Sequence, residues 1–419
     1  RSSNATTAIV CATAVGKTVV IDNVGIDATL TAKPEVVFHN KDVAFFVASA
    51  SSSANITIKN CIAGGSFTSL RSNYADNFRS CASAANLNGG ANGELGIAIY
   101  LGQIPKADKS VTMNISDCVN YADITASIEE GGLAAFIGRT GSKAVLTNCV
   151  NYGDITGLRR AYVAGIAANV YETGGEFNNV DNYGDVNSIR VYNIDWFGGT
   201  NGGNQGAFAV AGICSYAHGG KTNAFSFINC DNYGDVKNEI YDEPAAGQKS
   251  FQDYFAGGIV GRARRIKGLT IEGCNNYGDV TFNYGTGDYV AGEEGAAGIL
   301  AFIDDNAQDS VYNIKNCVNE GVITSKFSGA GIVCRVQRSI TSASTYNVEN
   351  CVNKGDVICT YEINDGASNI AAAGIFAQLH VTNAAFKISV KNCVNFGDIT
   401  AYSNTIAGIF GHYRNTSNP

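Results

Sequence analysis

NCVNYGDIT, residues 148–156, returns as NCDNYGDV at 229–236, NCVNEGVIT at 316–324, NCVNKGDV at 350–357 and NCVNFGDIT at 392–400. Such a phrase is either a repeated reacting group or a repeated structural corner, and the substitutions it tolerates decide between them. Aligned on its cysteine, it forms a column of Cys61, Cys118, Cys149, Val180, Cys230, Cys274, Cys317, Cys351 and Cys393, spaced 31 to 57 residues apart. Valine in that column excludes disulfide bonding or metal ligation as its general purpose, and both residue types suit a small buried hydrophobe. Two places on, from the second member of the column onward, stands an asparagine: Asn120, Asn151, Asn182, Asn232, Asn276, Asn319, Asn353 and Asn395. A turn whose side-chain amide bonds backbone and the next copy requires this. The glycine of the phrase, replaced once by Ala122, points to a positive φ or a close backbone approach. Between asparagine and glycine stand Tyr121, Tyr152, Tyr183, Tyr233, Tyr277, Glu320, Lys354 and Phe396, a freedom that marks an outward position.

A second phrase alternates with the first, from LGIAI at 95–99 and GGLAA at 131–135 to VAGIA at 163–167, AAGIL at 296–300 and IAGIF at 406–410. From its glycine to the next cysteine column the count stays between 15 and 22, whereas from the aspartate of the first phrase to the next such glycine it runs from 9 to 27. Insertions therefore collect at one corner of the unit. Between the corners lie short runs of period two, such as VTMNISDC at 111–118 and YNVENC at 346–351, which read as strands. A unit of two or three short strands without a helix cannot bury its apolar face alone and must stack on its copies. The expected fold is all-β, a parallel β-helix or β-solenoid of about nine coils over residues 41–419. Residues 1–40 fit the repeat poorly and read as an N-terminal cap or the end of an upstream segment.

Composition bounds the function. The 419 residues are 45% hydrophobic and 16% charged, with a formal net charge of −8, which speaks against disorder and against a nucleic-acid footprint. Lys and Arg are scattered apart from Arg262, Arg264, Arg265 and Lys267. No apolar run approaches the roughly 20 residues of a spanning helix. The chain opens at Arg1 with Met113 as its one methionine, which reads as a processed or partial product.

With these phrases in hand, NCVNYGDI followed by AGI resembles the GLUG repeat of large exported bacterial surface proteins, adhesins and Bacteroidetes proteins among them. The resemblance covers roughly residues 41–419 and implies a right-handed β-helix-like stack in an extracellular, cell-surface setting, without implying a reaction.

Candidate chemistry is thin. Cysteines stacked in one direction are poorly placed to bridge, so free buried thiols are expected. His39, His218, His380 and His412 are isolated and read as satisfied or surface side chains, so no metal or other cofactor is expected. The aspartates at 123, 154, 185, 235, 279, 356 and 398 suggest a calcium ladder. The simpler reading is that each bonds its own turn, and Val322 shows that one coil manages without it. Acid doublets at Glu129 and Glu130, Asp242 and Glu243, Glu293 and Glu294, and Asp304 and Asp305 would serve a polysaccharide-cleaving site only if two carboxylates converged at a defined separation. As loop doublets they read as solvated.

Binding is the better expectation. The row Tyr121, Tyr152, Tyr183, Tyr233 and Tyr277 would present rings to a glycan or protein, or merely stack. The longest insertion, RVYNIDWFGGTNGGNQGAF at 190–208, carries the one tryptophan, Trp196, beside Phe197. The sequence thus reads as a non-catalytic exported surface protein of adhesion or assembly, with host or microbial surface glycans or proteins as partners. A carbohydrate-active enzyme and a filament subunit joined through the solenoid ends are the alternatives. Asp309, Ser310 and Val311 resemble an O-glycan acceptor motif of Bacteroidetes, and Asn4, Asn55, Asn114 and Asn415 lie in N-glycan sequons.

Overall fold

In a computed structural model, the described residues are 7–31, 42–69, 96–127, 131–158, 161–190, 208–240, 254–284, 294–305, 307–338, 343–361, 370–381, 386–402 and 405–415. Among them every regular element is a strand, and the strands form a parallel β-solenoid. One coil shows the path. Ala161–Ala164 lies in a first sheet, the chain bends through Gly165 and Ile166, Ala167–Tyr171 lies in a second sheet, and Gly175–Asn182 with Val186–Arg190 lies in a third. The first and second sheets each stack eleven strands.

Stacking is in register, so each sequence position becomes a column along the axis. Ile155 pairs with Val186, Val186 with Val236, Val236 with Val280 and Val280 with Ile323, all inside the core. Third-sheet strands alternate inward and outward residues, as Ser344–Glu349 does, because only one face meets the core. The first two sheets are buried on both faces instead. Neighbours such as Ala209 and Val210, or Phe255 and Ala256, fall in two different apolar clusters.

The pairing adds to the organisation at both ends of the stack. Within residues 7–31, Thr7–Ala8, Cys11–Val15, Thr18–Asp22 and Gly25–Thr31 pair with the following coil in all three sheets. This coil is hidden in the sequence because Val24 and Ile26 stand where later coils carry cysteine and asparagine. Nine coils carry the cysteine column. Beyond the last of them, Ile406–Ala407 and Phe410–Asn415 extend the first two sheets once more. The second phrase also shifts. Ala98, Ala134 and Ala164 share a column, which puts Ile99 and Ala135 opposite Gly165 and leaves Gly96 and Gly132 three residues away from it.

Candidate functional site

The repeated phrase forms one corner, and each of its residues has a distinct task. The residue before each cysteine turns through left-handed backbone, with φ of 53° at Asp117, 52° at Asn148, 54° at Asn179 and 64° at Gly273. Asn, Asp and Gly reach that conformation at least cost, which explains the first letter of the phrase, a signal the sequence reading passed over. The cysteine then points inward. Cys118 Sγ donates to Ser116 O at 3.0 Å, and Val180 fills the same column fully buried.

The asparagine column is a continuous hydrogen-bonded file. Each Nδ2 donates to Oδ1 of the next coil at 2.7–2.8 Å, from Asn120 through to Asn395. It also donates to the carbonyl two residues on, at 2.8 Å for Asn182 and Gly184. Aspartate has no protons to give and glutamine is too long, so the hydrogen-bonded file requires asparagine, and it starts at Asn120 because the two preceding coils carry Ile26 and Ala63 in that column. The glycine that follows is explained by close approach and not by φ. A Cβ on Gly184 would lie 2.0 Å from Gly153 O.

The outward tyrosines stack face to face. Centroids of Tyr121, Tyr152, Tyr183, Tyr233 and Tyr277 follow one another at 5.0, 4.8, 4.3 and 4.7 Å. Ring faces inside the ladder are therefore covered by rings, and solvent meets edges and hydroxyls. Burial, then the nearby Asp231, pushes the Tyr233 phenol up, so it stays a proton donor. Beside the ladder, Oδ1 of Asp123, Asp154, Asp185, Asp235, Asp279 and Asp356 accepts the backbone N–H of the same column in the next coil, as in Asp154 N to Asp123 Oδ1 at 2.9 Å. The expected bond to its own turn is replaced by a bond between coils. Among the described residues no group of three or more His, Cys, Asp or Glu side chains is placed to hold a metal.

Asp304 and Asp305 are not a solvated doublet. Both are buried on the strand Leu300–Asp305, and as neighbours on a strand they leave opposite faces. Asp304 accepts a hydrogen bond from Arg262 at 3.1 Å and forms an ion pair with Arg264 at 2.8 Å, whereas Asp305 accepts from the Tyr346 hydroxyl at 2.6 Å. They cannot share one substrate. Glu294 is buried too. Glu129, Glu130, Asp242, Glu243, Glu293, Trp196, Phe197, Cys81 and His39 lie outside the described residues, and every described cysteine is a free thiol.

A buried polar file on the second sheet went unread in the sequence. One column runs through Arg139, Asn169, Tyr216, Arg262, Phe302, Arg335 and Gln378, all buried. Arg262 lies 5.3 Å over the Phe302 ring, and Tyr216 stacks on Tyr162 at 4.6 Å. Two places along each strand, Tyr171, His218, Arg264, Asp304, Gln337 and His380 form a second column. His218 is neither a surface nor a satisfied histidine. It is 1% exposed, stacks on Tyr171 at 4.5 Å, and neither ring nitrogen has a hydrogen-bond partner. Burial, then Arg264, Arg265, Lys106 and Arg262, lowers its pKa to about 3.

Ser310 of the O-glycan-like tripeptide is buried and donates to Ala307 O at 3.1 Å. Compared with protein-family models, curated proteins and solved structures, the chain matches none.

Proposed function

We propose that the chain is a non-catalytic scaffold of a bacterial cell surface, acting outside the cell in adhesion or surface assembly. The observation that carries this reading is where the repeated side chains go. The asparagine amides, the glycine approaches and the aspartate acceptors all bond one coil to the next. The repeat thus builds a long stack that holds outward residues at fixed intervals, and those outward residues are what a partner meets. The tyrosine edges and hydroxyls and the insertion around Trp196 are the contact surfaces in this reading. A surface glycan or protein of host or microbe is the partner, with self-assembly through the coil ends as a further mode. The likeness of the phrases to GLUG repeats supports the extracellular setting.

The test is an array of surface glycans and mucins probed with the intact chain beside Trp196→Ala and Tyr183→Ala. Selective binding without product, weakened in one of the variants, is the expected result. Cleavage of a polysaccharide by the purified chain would overturn the reading.

A further inference from the structure

The tyrosine ladder has one open end. Tyr121 is 56% exposed against 38% for Tyr277 at the other end, where Glu320 continues the column. The cause lies in the preceding coil. Asn120 pairs with Ala63, so the residue facing Tyr121 in its column is Gly64, which has no ring to lay on it. One coil further, Asp27 pairs with Gly64. Its carboxylate leans into the space that glycine leaves: a Cβ built on Gly64 would meet Asp27 Oδ1 at 3.4 Å, and its other contacts within 4 Å are Asp27 Cγ and Ile26 O. Between Asp27 and Tyr121 the column thus spans two coil steps, about 9.6 Å, with a ring-sized step at its middle. The floor is glycine backbone, one wall is an aromatic face, and a carboxylate oxygen reaches the level of the missing ring.

We propose that this step binds a guanidinium group, its flat face on Tyr121 and its edge on Asp27. A planar cation stacks on a phenol face and pairs with a carboxylate through parallel N–H donors, and only a guanidinium does both. An ammonium is compact and strongly hydrated, and a neutral sugar makes no use of the charge. Lys59 of the glycine's coil is already engaged by Asp22 at 3.1 Å. Tyr121 and Asp27 both stand on the exposed outer face of the stack, within reach of an arginine side chain of a partner polypeptide, which is the source we assign. The step depends on the first three coils alone and stands whether or not the chain acts in adhesion.

The experiment is a titration of the full chain with end-blocked Gly-Arg-Gly, end-blocked Gly-Lys-Gly and methylguanidine, followed by calorimetry. The arginine peptide is expected to bind in the millimolar range and the lysine peptide at least fivefold more weakly. Asp27→Asn should weaken the arginine peptide at least fivefold. Gly64→Tyr should abolish its binding by completing the ladder, with thermal stability held or raised, so that the loss is not one of folding. Tighter binding of the peptide than of methylguanidine supports a polypeptide source, and equal affinities support a small guanidinium compound in the same step. Unchanged affinity in Gly64→Tyr, equal affinity for the lysine peptide, or no binding of any guanidinium would overturn the proposal.

Discussion

Gly165 and Asn182 meet within their coil so closely that a Cβ on the glycine would lie 2.2 Å from Asn182 Oδ1. The same joint recurs between Gly212 and Asn232 at 2.2 Å and between Gly298 and Asn319 at 2.2 Å. In the coils from Gly165 onward the two repeated phrases of the sequence are therefore two halves of one contact, whereas the two preceding coils carry Ile99 and Ala135 at the glycine's position.

Breaking the joint from either side should cost similar amounts and should not add. Gly212→Ala forces the Asn232 amide out of its file, and Asn232→Ala removes its hydrogen bonds inside the core. Each is expected to lose about 2–4 kcal/mol of stability in urea unfolding. The double variant should lose less than the sum, because the methyl no longer meets an amide and keeps only its close approach to Gly258 O at 2.3 Å. Strict additivity would show that the two residues do not touch.

His218 makes stability fall in mild acid. Its folded pKa of about 3 lies below the usual 6.5, so the unfolded chain takes up a proton that the folded chain refuses. The contribution is whole above pH 6.5 and drains away as pH falls toward 3, at up to about 1.4 kcal/mol per pH unit. His218→Phe should remove that slope, read as the difference between the two unfolding free energies from pH 7 to 4. A flat difference would mean that the imidazole is solvated.

Asp231 works in the opposite direction. Burial holds its carboxyl above the ordinary 3.8, so the folded chain binds the proton more readily than the unfolded one. Its burden on stability is full at neutral pH and lifts as pH falls through the raised value toward 3.8. Asp231→Asn keeps an acceptor for the Asn275 N–H, bonded at 2.9 Å, and removes the charge. Thermal unfolding should show this variant at least as stable as the parent at pH 7 and less responsive to acid. A variant that is weaker at pH 7 would assign Asp231 a favourable charge interaction.

The buried thiols should be silent in the folded state. Burial pushes Cys214 and Cys359 up to about 12, and both are closed to solvent. Mass spectrometry after iodoacetamide at pH 8 should find them unmodified in the native protein and fully modified in urea. Rapid native labelling at either site would contradict the packing.

Much of this was legible in the sequence, and the parts that were not share a cause. Asn151, Asn182 and Asn232 recur because an amide file running from coil to coil requires asparagine at every step, so spacing alone revealed the stack. Val24 and Ile26 satisfy the same backbone without that chemistry, and the first coil stayed hidden. Gly96 and Gly132 imitate the later glycines three residues out of register, a shift that only pairing with Ala164 resolves. The file of Arg139, Tyr216, Arg262 and Phe302 mixes charge with aromatic rings, so no repeat of residue type announces the column. Asp304 and Asp305 read as one doublet in the chain but stand on two faces of a strand.

The most direct test of the account is a distance along the stack. Thr125, Thr156, Asn187, Lys237, Thr281 and Thr324 occupy one outward column, joined by five successive parallel pairings. Nitroxides at Thr125 and Thr324, attached through non-cysteine chemistry, should give a narrow distance distribution by pulsed electron resonance, offset by label reach from a backbone separation of about 24 Å. Labels at Thr125 and Lys237 should be closer by two coil steps, about 10 Å. Distances that fail to scale with the number of coils, or a broad distribution for both pairs, would contradict the in-register solenoid.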